Sequence, residues 1–239
     1  MTDTLMLAVI LVPCLVIAIV FHEVAHGYAA LALGDPTAKE KRRLSLNPLR
    51  HVDPIGTIAV PGALALFGGP VFGWAKPVPV RQDRLDNPRF GMMAVGAAGP
   101  ASNLVLAFFG AIALGLVLPE NYGLVLTSGG VPNMIDGNGV FQPFATGLFF
   151  FILINIFLAL FNLLPIPPFD GSHIVGGLLP RSIAHHWQKL QAMGMLLLLI
   201  LIAVTWAFPE NSVIADFVFP PVLWLQDKYL AVADWVAAA

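Results

Sequence analysis

Apolar positions along the chain gather into four long runs: Leu5 to about Leu33, Phe90 to about Leu118, Gln142 to about Leu164, and Leu190 to Phe208. Each approaches the roughly 20 residues that a helix needs to cross a hydrocarbon core of about 30 Å, so the pattern predicts four membrane-spanning helices. Trp187 and Trp206 bracket the last run. The helical distance between them is about 28 Å, which suits aromatic side chains at the two faces of a bilayer.

Two further apolar stretches are interrupted. Residues 54–74, "PIGTIAVPGALALFGGPVFGW", are punctuated by glycine and proline, which argues against a continuous helix facing lipid. Residues 212–226 are short and contain Pro220 and Pro221, and the pattern leaves them open between a late crossing and a place along the interface.

Basic residues orient these segments, because short cytoplasmic loops carry the excess of lysine and arginine. Lys39, Lys41, Arg42, Arg43 and Arg50 follow the first run, while Lys76, Arg81, Arg84 and Arg89 follow the interrupted stretch. Both clusters belong on one side, so 54–74 is expected to dip into the membrane and return. Residues 119–141 hold no lysine or arginine and read as external, whereas 165–189 carry Arg181 and Lys189 and read as internal. The expected fold is an all-α polytopic membrane protein in one domain, 1–239. It has four spans, a re-entrant and partly extended segment, an open C-terminal segment and an external N-terminus.

Composition supports a lipid environment. Of 239 residues, 58% are hydrophobic and 11% charged, against roughly half and a quarter in soluble domains. A formal charge of -2, with no dense basic cluster outside short loops, argues against nucleic acid as a partner. Cys14, the one cysteine, can form no intrachain disulfide. The first run lacks the basic leader of a cleavable signal peptide and is expected to remain in place. No internal repeat is evident, which weakens an inverted-repeat transporter reading.

Within the first run stands "HEVAH", residues 22–26. On a helix, His22 and His26 lie four residues apart and project from one face, where both imidazoles can bind one zinc ion. Glu23 beside them can take a proton from a water acidified by that ion. Ionisable residues inside a span are costly and usually functional. A hydrogen-bonded patch between helices is the structural alternative.

A catalytic zinc needs a third protein ligand, and the candidates are His51, Asp53 and Asp170. Topology favours Asp170, because the run that carries His22 and His26 and the run that precedes Asp170 both descend from outside to inside. "GPASN", residues 99–103, opens a run of opposite direction and lies at similar depth. Pro165, Pro167 and Pro168 prevent a regular helix before Asp170, and Gly171 permits a tight turn after it. His173 is read as a loop residue, with support of a metal ligand as the alternative, and His185 and His186 as interfacial loop residues without a special role.

"HEVAH", "GPASN" and "NLLPIPPFDG" stand in the order of the HExxH, GxxxN and NxxPxPxxDG signatures of the site-2 protease family, the membrane-embedded zinc metalloproteases of peptidase family M50. The chain resembles that family from about residue 20 to 173. The resemblance implies one zinc ion per chain held by His22, His26 and Asp170, with Glu23 as general base. It also implies that Asn103 and Asn162 line the site and bind substrate or the transition state. For Asn103 the alternative is helix packing along Ala98, Gly99 and Ser102.

The implied activity is an intramembrane endopeptidase that cleaves in or near a transmembrane segment of a membrane protein, with its site toward the cytoplasmic side of the cell membrane. The segment "FGWAKPVPVRQ", residues 72–82, is extended by its prolines and could offer a strand edge to an unwound substrate. No loop has room for the PDZ or cystathionine-synthase-like domains that many relatives carry. The competing functions are a metal-ion transporter and a non-catalytic zinc-binding membrane protein. The outer halves of the runs lack the ionisable residues that a transport path needs.

Overall fold

The computed structural model describes residues 2–66, 73–119, 121–127, 130–207 and 213–239. Helix α1 (Thr2–Ala32) fills the first apolar run. It ends because Gly34 takes a left-handed backbone, φ 99°, while the Asp35 N–H reaches back to the Ala30 carbonyl at 2.9 Å. That is a Schellman-type stop. A short helix, α2 (Thr37–Glu40), follows.

The interrupted stretch begins with one π-helical turn, Pro54–Ala59, capped by the Asp53 carboxylate, which accepts from the Ile55 and Gly56 N–H groups at 2.9 Å each. It continues as α3 (Val60–Leu66). From Gly73 onward the chain runs back past its own start: the Trp74 N–H donates to the Gly56 carbonyl at 3.0 Å and the Lys76 N–H to the His51 carbonyl at 2.8 Å. The two ends of the stretch therefore lie side by side.

Helix α4 (Pro88–Val117) starts at an Asn87 cap with proline in its first turn, where the missing N–H costs nothing. Helix α5 (Pro143–Asn162) begins with proline in the same way. Helices α1, α4 and α5 are long and apolar enough to cross a membrane. Large apolar side chains such as Val9, Val12 and Phe109 remain exposed on their outer surfaces, which in water would be unfavourable and in lipid is not.

The fourth expected span has a different form. Helix α7 (Arg181–Ala192) and helix α8 (Gly194–Ala207) meet at Met193, and their apolar portions are bent by 62°. Alone, α8 covers about 21 Å. The bend seats Gly194 on the proline turn, where an added Cβ would lie 3.0 Å from Pro168 Cβ and 3.2 Å from Pro167 Cβ. Trp187, expected at a bilayer face, has a partner within the protein: its indole N–H donates to the Ser172 carbonyl at 2.9 Å and ties α7 to α6 (Gly171–Leu178). The side chain of Trp206 lies outside the described residues.

Two elements escape the sequence pattern. The loop without lysine or arginine contains an antiparallel hairpin, β1 (Gly123–Leu126) and β2 (Pro132–Ile135), with Gly123 opposite Ile135. The chain is thus mostly rather than wholly helical. The C-terminal segment is part of a 25-residue helix, α9 (Val213–Ala237), which continues through Pro220 and Pro221. Packing outweighs local propensity here, since Val218, Val222 and Ala233 of α9 are buried in a core with Ala107, Leu114, Phe149 and Ile152. Met134 of the hairpin enters the same core.

Asp35 fastens the polar loops together. Its buried carboxylate accepts from the Thr37 N–H at 3.0 Å, the Thr37 hydroxyl, and the Arg81 N–H at 2.6 Å. Burial alone would raise this carboxyl, but the hydrogen bonds from Thr37 and Arg81 outweigh it and hold it below its ordinary value of 3.8. A group depressed by folding stabilises the fold above its unfolded pKa, and that stabilisation is lost as pH falls through the folded value. Thermal unfolding in detergent is therefore expected to show Asp35→Asn destabilised by about 1–3 kcal/mol at pH 7. The difference should shrink below about pH 4, where the unfolded chain's carboxyl begins to protonate, and vanish as pH falls through the lower folded value.

Candidate metal centre

Residues His22 and His26 lie on consecutive turns of α1 and are both buried. Their ring centroids are 4.6 Å apart at an interplanar angle of 86°. Asp170 arrives from the turn between α5 and α6, and its Oδ2 stands 3.0 Å from His22 Nε2 and 3.3 Å from His26 Nε2. Among the described residues these three form the one group of histidine, cysteine and acidic side chains disposed to hold a metal, with their ligand atoms all within 4.8 Å of one another.

The hydrogen bonds behind the rings decide what the ring fronts can do. His26 Nδ1 lies 2.7 Å from the Val95 carbonyl, which can only accept, so Nδ1 carries the proton. His22 Nδ1 lies 2.6 Å from Asn103 Oδ1. The orientation of that amide is fixed in turn: its Nδ2 donates to the Ala18 carbonyl at 3.1 Å and to Asn155 Oδ1 at 2.8 Å, while Asn155 Nδ2 donates to the Phe151 carbonyl at 2.8 Å. In the neutral rings, the state a metal requires, both Nε2 atoms then present bare lone pairs to a carboxylate oxygen. Three electron-rich atoms at this range repel unless a cation lies between them, and the set fits zinc, which takes imidazole nitrogen and carboxylate oxygen.

Close approach of α4 makes this possible. A Cβ added at Gly99 would lie 2.5 Å from His26 Nε2 and 2.6 Å from His22 Cε1, and one at Gly96 would lie 3.0 Å from the Asp170 carbonyl oxygen. Gly171 sits against the Leu163 and Leu164 carbonyls with no room for a side chain, which lets the chain reverse after α5 and return Asp170 to the site.

Comparison with known proteins agrees with this chemistry. The model of peptidase family M50 matches residues 10–203. The chain belongs to peptidase family M50. It is 40% identical over 195 residues to "Putative zinc metalloprotease YwhC" of Bacillus subtilis (strain 168), covering 80% of this chain and 78% of that protein. It is 28% identical over 156 residues to "Putative zinc metalloprotease Rip2" of Mycolicibacterium smegmatis (strain ATCC 700084 / mc(2)155), covering 63% of this chain and about half, 49%, of that one. No solved structure matches. The M50 chain is therefore a membrane metalloprotease, and zinc is the metal its family implies.

The remaining candidates are placed as follows. Glu23 projects one residue along from His22, and its Oε2 accepts the Val78 N–H at 2.7 Å. Asn103 is fully buried, and its amide hydrogens and oxygen are engaged with Ala18, Asn155 and His22, so its contact with the site runs through the His22 ring. Asn162 donates from Nδ2 to the Leu158 carbonyl one turn back, at 3.0 Å. His51 faces the Ser45 carbonyl at 2.8 Å and Asp53 caps the π-turn, so neither joins the cluster. His173, expected in a loop, lies on α6 with Nδ1 3.3 Å from Gln191 Nε2.

Sequence reading passed over Gly99 as a metal-site residue and had no signal for Asn155 or Val95, whose roles arise from helix pairing. Replacing Asn103 with alanine removes the acceptor that fixes the His22 ring, and zinc affinity measured by competition with a chelating dye is expected to fall about 10- to 100-fold. Gly99→Ala should lower zinc content further, because a methyl group would occupy space between the rings.

Proposed function

We propose that this M50 protease is an intramembrane zinc endopeptidase, with one zinc ion per chain held by His22, His26 and Asp170. It would hydrolyse a peptide bond in or near a transmembrane segment of a membrane protein. The observation that carries the reading is the pair of bare Nε2 atoms facing the Asp170 carboxylate on a helix long and apolar enough to cross a membrane. Zinc in this donor set supplies Lewis acidity, bringing the pKa of a coordinated water to about 7 and polarising a carbonyl oxygen.

The protein side of the reaction follows from the placed groups. Glu23 takes the proton of the attacking water as its oxygen bonds to the scissile carbonyl carbon. It then delivers that proton to the departing nitrogen when the C–N bond breaks. Asn103 holds His22 in the donor tautomer, and Asn162 supplies an amide at the end of α5 for the substrate backbone.

The topology that accompanies this reading has an external N-terminus and four crossings: α1, α4, α5 and the bent pair α7 and α8. Residues 54–74 re-enter the membrane, a reading supported by the hydrogen bonds that bring Gly56 beside Trp74 and His51 beside Lys76. The site then opens toward the cytoplasmic half of the bilayer. A cysteine at position 66 is expected to resist a membrane-impermeant thiol reagent added outside intact cells, and external labelling there would overturn the re-entrant assignment.

Purified protein incubated with membrane-spanning peptides tests the activity. Glu23→Gln is expected to keep its zinc and lose cleavage, whereas His22→Ala and Asp170→Ala should lose both. Zinc flux into proteoliposomes that survives Glu23→Gln, without cleavage by the wild type, would instead identify a carrier.

A further inference from the structure

The extended chain between Lys76 and Arg81 is tied down at both ends and touches the general base in its middle. Its near end is fixed by the Lys76 N–H on the His51 carbonyl, 2.8 Å, and its far end by the Arg81 N–H on Asp35 Oδ2, 2.6 Å. Between them the sequence reads Pro77-Val78-Pro79. Proline has no N–H, so this tripeptide has one backbone donor, that of Val78. That donor goes to Glu23 Oε2 at 2.7 Å.

Helix α1 is shaped to receive the contact. Gly27 lies one turn beyond Glu23 on the same face, and a Cβ there would stand 2.9 Å from Val78 Cγ1 and 2.5 Å from Leu44 Cδ2. The missing side chain forms a notch in which the buried Val78 sits. A free glutamate side chain explores several rotamers, at a cost of up to about 2 kcal/mol when one is selected. A charge-assisted bond from a doubly anchored backbone selects one, and it leaves the second carboxylate oxygen for water.

We propose that the Val78 main-chain N–H is a positioning group that holds Glu23 in its proton-accepting orientation, so that the 76–81 segment sets the catalytic rate as well as bordering the site. The assignment rests on the role of Glu23 proposed above. It also gives the two prolines a chemical reason: they silence the neighbouring donors and stiffen the backbone on either side of the one that is used.

The decisive change is replacement of Val78 by its α-hydroxy acid, which exchanges the N–H for an ester oxygen and keeps the side chain. With membrane-spanning peptide as substrate, this form is expected to lose about 10- to 100-fold in kcat with KM and zinc content unchanged. Val78→Ala keeps the N–H and trims the packing, and its kcat should exceed that of the ester form by about 10-fold. Equal losses in the two forms, or an ester form changed only in KM, would overturn the proposal.

A second readout needs neither metal nor activity. In the zinc-free protein, the Val78 amide is expected to be protected from hydrogen exchange in the wild type and in Glu23→Gln, whose amide oxygen still accepts, and to exchange at least about 10-fold faster in Glu23→Ala. Equal exchange in all three would overturn the proposal even if cleavage is abolished by Glu23→Gln. Cleavage that persists in Glu23→Gln would instead remove the reading of Glu23 on which it rests.

Discussion

Everything at the centre of this molecule depends on the repulsion among three electron-rich atoms brought together in a buried place. His22 Nε2, His26 Nε2 and Asp170 Oδ2 face one another, and in the neutral rings no proton lies between them, because each ring gives its one proton to an acceptor behind it. In a medium of low dielectric such an arrangement is unfavourable by itself and strongly favourable around a divalent cation. In the zinc site proposed here, the Val95 carbonyl and the Asn103 to Asn155 to Phe151 chain would matter as much as the ligands, since they set which nitrogen of each neutral ring is bare.

Close contact requires that little else be present. Gly99 and Gly96 remove side chains where α4 crosses the ring pair and the Asp170 backbone, and Gly171 removes one where the chain turns back after α5. The same economy appears on α1, where Gly27 admits Val78 beside the glutamate. In a hydrocarbon solvent, helices gain little from burying apolar surface against one another, and packing through small residues together with interhelical hydrogen bonds carries the association. The residues that allow the helices to meet are thus the ones that let the chemistry assemble.

The polar loops complete the arrangement from one end. Asp35 gathers the end of α1 and the Arg81 backbone, and His51 and Lys76 join the two sides of the interrupted stretch. At the described ends of that stretch, the Trp74 and Lys76 N–H groups find carbonyl partners within the protein, as non-helical backbone must wherever water is excluded.

Much of this was legible in the residues themselves. Period and length determined the helices α1, α4 and α5; the spacing of His22 and His26 determined that both rings share a face; and the prolines before Asp170 determined that α5 must end. Those are local properties, fixed by helical geometry and by the loss of N–H donors. The bend at Met193, the hairpin between α4 and α5 and the passage of α9 through Pro220 and Pro221 were decided by packing, which local propensity does not encode. So were the tautomers of the two histidines, the engagement of Asn103 with a ring, and the bond from Val78 to Glu23. Each needs atoms from segments distant in sequence to reach within about 3 Å of one another, and only the folded arrangement of helices brings them there.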